Sequence, residues 1–311
     1  MVSSRSWTVG PALCCLLLAC GEPGDEIAFR FEPQEGSLFA EERELTVRFG
    51  LDGQTLSTVV TTLEGEIAVN RPSSWQWAFH ETLTKLQVTV DRKTVFGGPA
   101  TDQNEPWNLI HEVWDDGTPK RVVGREKLVR ALQAAAPSDE QERCPGGTAP
   151  GSAEAFSESW LRNVTELVDI TVEEGAIWDE IDELQLDCRS SLPFVTRYEV
   201  VRREACPTGE CVVLQVRFLL EPETRDKYVG KPMTRLLDVE GAPTGNVTVV
   251  GLDVQGRGEE TIDLDELLRP STQWSLRLEI DLRGQDGAVR QMWIEQEGES
   301  SLQLLNERPG A

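Results

Sequence analysis

Residues 274–283 read WSLRLEIDLR and alternate apolar and polar side chains without a break. The apolar positions are Trp274, Leu276, Leu278, Ile280 and Leu282. Successive side chains of a β-strand point to opposite faces of the sheet, so the pattern predicts a strand with one face on a core and the other in water. That half-buried arrangement is typical of antiparallel sheets.

The same alternation recurs along the chain, notably over residues 45–49 and 212–220. Glycine-containing turn signals separate the runs at 52–53, 208–209, 256–258 and 286–287. Between Trp75 and Val90 the apolar positions change from odd to even numbers, which predicts a bulge or bend near residues 80–84. The sequence therefore predicts a mainly β protein whose antiparallel, curved sheets form one large lobe or two similar lobes.

Helical spacing is confined to two stretches. Residues 124–136 read GREKLVRALQAAA, and residues 153–168 repeat large apolar side chains every three or four positions. The segment between them is rich in proline, glycine and serine. We therefore expect one or two short helices and divide the chain into a first β-rich lobe at 27–136 that ends in a helix, a linker at 137–158 and a second β-rich lobe at 159–311.

A weak internal similarity supports two related halves. Residues 35–47 read EGSLFAEERELTV and residues 174–186 read EGAIWDEIDELQL. Both have a glycine that permits a tight turn into a strand, then an aliphatic–aromatic pair, then acidic residues. Duplication and coincidence in an acidic protein both account for this similarity. The pattern also resembles uncharacterised families of β-rich exported bacterial lipoproteins, and that resemblance brings no known catalytic residues.

The first twenty residues have the organisation of an export signal. Arg5 is the only charged residue, an apolar run extends from Val9 to Ala19, and Cys20 follows. The run is shorter than the roughly 20 apolar residues that a transmembrane helix needs. Residues 17–20, LLAC, resemble the lipobox of bacterial lipoproteins, in which the signal is removed before the cysteine and the cysteine is lipidated. An ordinary secretory signal cut nearby is the alternative.

The resemblance implies a bacterial outer-membrane lipoprotein precursor. Residues 1–19 are then the signal peptide, Cys20 carries the acyl chains, palmitate among them, and residues 20–26 form a lipidated tether. Several acyl chains anchor a protein stably, whereas one does not. Gly21 after the cysteine fits sorting to the outer membrane. We expect a lipid-anchored envelope protein whose folded part lies near the bilayer, on either its periplasmic or its surface face.

Acidic residues dominate the charge. The chain has 54 Asp and Glu against 30 Lys and Arg, a formal net charge of −24. This charge opposes binding to nucleic acid and direct adhesion to anionic lipid. Because the charges are dispersed, we interpret them as a solvated acidic surface. The partners that we expect are the outer membrane, through the N-terminal lipid, and an apolar ligand or an envelope protein, and no nucleic acid.

Seven cysteines are present, and two of them leave with the signal. With Cys20 lipidated, four remain: Cys144, Cys188, Cys206 and Cys211. An even number in an exported chain predicts two disulfides. Cys206 and Cys211 flank a tight turn between two strand-like runs, so we expect them to pair, which leaves Cys144 with Cys188. A zinc site is the competing interpretation, but the chain has only two histidines, and neither is near these cysteines in sequence.

No motif in the sequence predicts catalysis. The chain has no nucleophile elbow, P-loop, dinucleotide fingerprint or EF-hand loop. We expect His80 to be structural or exposed. His111 and Glu112 begin a zinc-protease pattern that needs a second histidine at position 115, where the chain has aspartate. We therefore expect no enzymatic activity, no metal and no cofactor; a cleft in which a histidine meets carboxylates from distant strands would revive the enzyme hypothesis.

Tryptophan is unusually frequent, with nine residues against two tyrosines. Indoles can line a groove for an acyl chain, a hydrophobic peptide or a sugar, or they can fill the core of a sheet. Our candidates for ligand binding are Trp75, Trp77, Trp178, Trp274 and Trp293. The sequence favours a membrane-tethered envelope protein that binds or carries an apolar ligand without catalysis. The alternative is a structural or interaction lipoprotein with no small-molecule ligand.

Overall fold

The protein was analysed as a computed structural model, and the described residues are 26–99, 106–135, 167–168, 170–185, 191–207, 209–233 and 247–306. Strands dominate these residues. In the first half of the chain they are β1 (Ile27–Ala28), β2 (Leu38–Leu51), β3 (Gln54–Ser73), β4 (Gln76–Val90), β5 (Lys93–Pro99), β6 (Trp107–Trp114) and β7 (Pro119–Val123). In the second half they are β8 (Thr171–Val172), β9 (Ile177–Gln185), β10 (Ser191–Cys206), β11 (Gly209–Leu219), β12 (Pro232–Met233), β13 (Val247–Asp263), β14 (Ser271–Arg283) and β15 (Val289–Leu304).

Thirteen of these strands form one antiparallel sheet. Its path is β7-β6-β4-β3-β2-β15-β14-β13-β11-β10-β9, with β5 beside β4 and β12 beside β13. The first half of the chain is thus a meander from β2 to β7, and the second half is a meander from β9 to β15. The pairing of β15 with β2 joins the two meanders into one sheet. The predicted mainly β, antiparallel fold class is confirmed.

Two helices accompany the sheet in the described residues, α1 (Arg125–Ala135) and α2 (Pro222–Tyr228). The first confirms the helix predicted over 124–136, whereas α2 was not predicted. Only Leu167 and Val168, which form a turn, are described from the second predicted helix. The signal peptide, nearly all of the tether and the linker at 137–158 lie outside the described residues, so these assignments stay predictions. No helix in the described part of the chain is long and apolar enough to cross a bilayer.

Most turn signals are confirmed, and one is wrong. Residues 52–53 and 286–287 lie in the turns that connect β2 to β3 and β14 to β15, and β10 and β11 form the hairpin expected around Gly209. Gly256 and Gly258 form no turn, because both lie inside β13. A Cβ at either glycine would collide with an aromatic ring or backbone on the neighbouring strands, so packing accounts for these glycines.

The change of apolar parity in β4 is a β-bulge, as predicted. The register shifts between Leu83 and Lys85, which pair with Gly65 and Glu64 on β3. We call inner the face of the sheet that carries Phe79 and its register partners, and outer the opposite face. The bulge keeps the apolar residues of β4 on the inner face along its whole length.

The core lies on the inner face, where the two halves of the sheet meet. Phe79 of the first half and Leu214 of the second belong to one buried cluster, which also contains Phe29 from the N-terminal segment. A second cluster, around Leu278 on β14, fills the inner face of the second half and reaches β2. A third packs Leu128 of α1 against the first half. Because β4 and β11 contribute to one cluster although five strands separate them in the sheet, the sheet is curved.

The two similar segments found in the sequence occupy equivalent places in the fold. Gly36 and Gly175 both have positive φ, 87° and 82°, in turns that precede β2 and β9. The N–H of Gly36 donates to the carbonyl of Val69, and the N–H of Gly175 donates to that of Val200, each at 2.9 Å. The strand order β2-β3-β4-β6 thus recurs as β9-β10-β11-β13. This matching register favours repetition of one unit over coincidence.

Candidate functional site

Four ionisable side chains meet on the inner face of the first half, and we call them the charged cluster: Glu41 and Arg43 on β2, Glu81 on β4 and His111 on β6. His111 Nε2 is 2.6 Å from Glu81 Oε2, with side chains only 1% and 3% exposed. Arg43 forms an ion pair with the buried Glu41. Glu41 faces Gly65 on β3. Because glycine has no side chain, this position does not separate the carboxyl groups of Glu41 and Glu81.

Burial and neighbouring charge push the two pKa values in the charged cluster apart. Burial raises the pKa of Glu41 to about 7, and the charge of Arg43 only partly opposes this. Burial also disfavours ionised Glu81, but its hydrogen bond and charge interaction with His111, together with Arg43, hold its pKa below the ordinary value. The charge of Glu81 also contributes to the raised pKa of Glu41. The two carboxyl groups therefore differ in pKa, with the value for Glu41 raised and that for Glu81 lowered.

The charged cluster has the components of acid–base chemistry but is enclosed. A general base has to lie about 2.6–3.2 Å from the proton that it takes, directly or through one water. His111 Nε2 and Glu81 Oε2 contact each other, and both side chains are buried. His80, the other histidine, lies exposed on the outer face and does not join them. The arrangement can hold a proton inside the fold at neutral pH.

The second half carries a buried ion pair at the equivalent position. Glu260 on β13 faces Leu214, as His111 on β6 faces Phe79. Arg269, in the loop after β13, lies 2.7 Å from the Glu260 carboxylate. Burial raises the pKa of Glu260, and the charge of Arg269 opposes that rise. Each half of the fold therefore buries an ionisable group at this position and supplies a partner for it.

Three of the five candidate tryptophans lie apart from one another. Trp75 is at the tip of the β3–β4 hairpin and is 60% exposed. Trp77, two residues further on, is buried in the core that joins the two halves. Trp293 is buried on the outer face, between Gly50 and the guanidinium group of Arg277. These three indoles do not line a common groove.

The other two candidates share the inner face of the second half. Trp178 stacks on Tyr198 with ring centroids 5.2 Å apart. Trp274 meets Phe218 edge to face at 6.0 Å, and Phe218 meets Phe194 in the same way at 5.9 Å. Such edge-to-face contacts are a favoured geometry for aromatic pairs. The two tryptophans were predicted as candidates for ligand binding, whereas the phenylalanines and the tyrosine that contact them were not.

Glycines make room for these rings. A Cβ at Gly298 would lie 2.4 Å from the indole of Trp274, and one at Gly256 would lie 2.7 Å from the ring of Phe218. The rings therefore lie close against the sheet, and both stay partly exposed. Other partly buried side chains pack against the same core from neighbouring strands. We call the set the apolar strip: Leu45, Phe49, Leu51, Val59, Phe218, Leu220 and Trp274.

A polar recess lies away from the apolar strip. Its volume is about 390 Å³, and it is lined by Glu26 and residues 171–176. Three of these residues are glutamates, so the recess is acidic. None of the candidate tryptophans lines it.

The expected disulfide between Cys206 and Cys211 is confirmed, and it closes the β10–β11 hairpin. Cys20, Cys144 and Cys188 lie outside the described residues, so lipidation and the second disulfide stay predictions. The carboxylate of Asp263 lies near the two hairpin sulfurs. Sulfurs joined in a disulfide are not the thiolates that bind metal ions, so this group is not a candidate metal site.

The class that the fold defines is a mainly β protein built on one curved antiparallel sheet. No protein-family model matches the chain, and no curated protein matches it. Among solved structures it is similar to lipovitellin, from a structure of lipid–protein interactions, with a TM-score of 0.41 and 10% identity. That match covers 89% of this chain but only 26% of the lipovitellin chain.

Two other structures are similar over their whole length. One is a putative exported protein with a YmcC-like fold from Bacteroides fragilis, with a TM-score of 0.22, 11% identity, and coverage of 90% of this chain and 100% of that one. The other is the β-domain of the Bordetella autotransporter BrkA, with a TM-score of 0.23, 13% identity, and coverage of 86% and 99%. At these TM-scores the similarities assign no family, ligand or activity.

Proposed function

We propose that this protein is an envelope lipoprotein, anchored to the outer membrane through Cys20, that binds an apolar ligand along the apolar strip without catalysing a reaction. The observation that carries the proposal is the strip itself. Its seven large apolar side chains lie on the inner face of a curved sheet and keep part of their surface accessible. Covering apolar surface is favourable by about 25 cal/mol per Å², so such a strip suits an acyl chain or another apolar molecule.

The surroundings of the strip support an uncharged ligand. On β14, which crosses the strip, the inner-face residues next to Trp274 are Leu276, Leu278 and Ile280, all buried and apolar. In the described part of the chain, the ionisable groups nearest to the strip on the inner face stand at its borders: Arg43 beside Leu45 on β2, Glu260 opposite Thr272, and acidic residues on β9. A charged group placed on the strip would lose its hydration without gaining a partner. An acyl chain has no such cost.

The test is native mass spectrometry of residues 21–311, exported in soluble form and purified without detergent. Val59 and Val60 provide a matched pair, because they are adjacent on β3 and both half-buried, but Val59 faces the apolar strip and Val60 faces outward. We expect an extra apolar mass on the parent protein and on Val60→Glu, released by denaturation, and a bare chain for Val59→Glu. Circular dichroism checks that both variants fold.

Two results would contradict the ligand-binding proposal. The first is a bare parent chain, whose mass is reduced only by the hydrogens lost to disulfides. The second is equal retention of the extra mass by Val59→Glu and Val60→Glu, which would locate the ligand away from the strip.

A second role, docking of an envelope protein without a small-molecule ligand, is favoured by β9. Ile177 and Ile181 are 60% and 76% exposed on its outer face. β9 ends the path of the sheet, and one of its edges pairs with no strand in the described residues. A photoreactive residue at position 181 should then cross-link to another envelope protein in intact cells, whereas one at position 60 should not. Equal labelling at both positions would contradict this role.

A further inference from the structure

The N-terminal segment lies at one end of the sheet, which we call the anchor end. The β3–β4 and β10–β11 hairpins, the β6–β7 turn and the loop after β13 all lie at this end. The segment crosses between them. The carbonyl of Glu26 accepts a hydrogen bond from Arg203, near the β10–β11 hairpin, at 2.6 Å. At its other side, Phe31 packs against Gly117 of the β6–β7 turn.

The exposed tryptophans lie at this same end. Of the tryptophans in the described residues, only Trp75 and Trp114 are exposed, at 60% and 37%. Their two turns are joined, because the N–H of Asp115 donates to the carbonyl of Trp75 at 3.1 Å. Lys120 extends over Trp114, with Nζ 4.5 Å from the ring centroid. Indoles beside a cationic side chain are typical of groups that lie at a membrane–water interface.

The tether limits how far this end can lie from a membrane. Glu26 follows Cys20 by six positions, so an extended tether reaches at most about 21 Å at roughly 3.5 Å per residue. The inference rests on the lipid anchor of the proposed function. With Cys20 held in the bilayer, the anchor end is the part of the described chain that the tether brings to the membrane.

We propose that the anchor end rests on the phospholipid surface, with the indole of Trp75 in the interfacial region and Trp114 beside it. The chain would then have two membrane contacts, the acyl chains on Cys20 and the β3–β4 hairpin. Asp115 and Asp116 are also exposed there, so the contact does not depend on attraction to anionic lipid. The hairpin contact fixes the orientation of the sheet and places the acidic recess beside Glu26 near the bilayer as well.

The experiment uses the full chain, lipidated in cells, purified and reconstituted into phosphatidylcholine vesicles with and without bromine atoms near the head-group end of the acyl chains. Bromine quenches tryptophan fluorescence only at close range. We compare the parent with Trp75→Phe and with the control Trp293→Phe, which also removes one indole but lies near the opposite end of the sheet. The intact mass reports lipidation of Cys20 independently.

We expect bromolipid to quench the parent and Trp293→Phe alike. In Trp75→Phe the quenched intensity should fall about twofold, because Trp114 remains at the interface. Equal quenching in Trp75→Phe and the parent, on protein whose mass shows lipidation, would overturn this inference and leave the anchor intact. A mass without acyl chains, on protein that does not float with vesicles, would overturn the anchor and this inference together.

Discussion

Glu41→Gln should reduce the pH dependence of stability between pH 4.5 and 7, to which Glu260, whose pKa is also raised by burial, contributes as well. The pKa of Glu41 rises from 4.5 to about 7 in the folded protein because the carboxyl group is buried. At roughly 1.4 kcal/mol per pKa unit, this rise corresponds to about 3 kcal/mol of unfolding free energy.

The direction in which the free energy of unfolding changes with pH follows from whether the folded or the unfolded state binds the proton of Glu41 more tightly. Below pH 4.5 Glu41 is protonated in both states, and its contribution is fully present. Between pH 4.5 and 7 the unfolded chain releases the proton and the folded chain keeps it, so the free energy of unfolding falls as pH rises. Glu81 has a lowered pKa, so its contribution is lost only below its ordinary pKa, outside this window.

The assay is urea denaturation of residues 21–311, followed by circular dichroism at several pH values from 4.5 to 7.5. Glu42→Gln is the matched control, because Glu42 is the adjacent glutamate and is exposed on the outer face. The parent and Glu42→Gln should lose about 3 kcal/mol more than Glu41→Gln across the window. Parallel pH profiles for all three proteins would refute the reasoning, since the burial of Glu41 would then not set the pH dependence.

Three further changes test packing and pairing elsewhere. Gly50→Ala places a methyl group 2.0 Å from the indole of Trp293 and should destabilise the fold by about 1–3 kcal/mol in urea denaturation; Trp293→Leu in the same chain should recover most of the loss, and strictly additive losses would contradict the clash. Replacing both cysteines of the hairpin disulfide with serine should cost about 2 kcal/mol, because the closed loop is short, and an unchanged urea midpoint would show that the hairpin needs no cross-link. Arg269→Met leaves Glu260 buried without its cation and should cost about 3–5 kcal/mol at neutral pH; the double variant with Glu260→Gln should regain stability, and equal stability of single and double variants would count against the ion pair.

The strands were predictable because the alternation of apolar and polar residues in a half-buried strand shows which side chains face the core. Residues 274–283 alternate between the two faces in β14 as they do in the sequence, with Leu276, Leu278 and Ile280 buried. The bulge near Thr84 was predictable for the same reason, since a change of parity in a continuous strand requires an extra residue. These features depend on one strand at a time.

Features that depend on two distant strands were not predictable. Gly256 and Gly258 have the local pattern of a turn, yet they lie in the middle of β13. Their role is set by Trp274 and Phe218 on the strands to either side, and the register of those strands cannot be read from the glycines themselves. The pairing of β15 with β2, which joins the two meanders into one sheet, likewise depends on two strands that are far apart in the sequence.

The charged cluster has a recognisable pattern in the sequence. In β2 the inner face carries Phe39, Glu41, Arg43 and Leu45, so two charges occupy positions where the alternation calls for apolar residues. Glu81 interrupts the inner face of β4 in the same way. A charge in phase with the apolar face of a strand is buried by its neighbours and requires a partner. Which partner it finds depends on the register of three strands.

Buried ionisable groups stand at equivalent positions of the two halves. His111 and Glu260 occupy the same position of the two halves, although one is a base and the other an acid. Their partners come from different places, Glu81 from the neighbouring strand and Arg269 from a loop. The position therefore accommodates either a histidine or a glutamate and places a partner beside it, because an unpaired buried ion costs several kcal/mol, of order 3–5. Exchanging His111 for glutamate would place three carboxyl groups against Arg43 alone, so the two halves are equivalent in backbone but not interchangeable in charge.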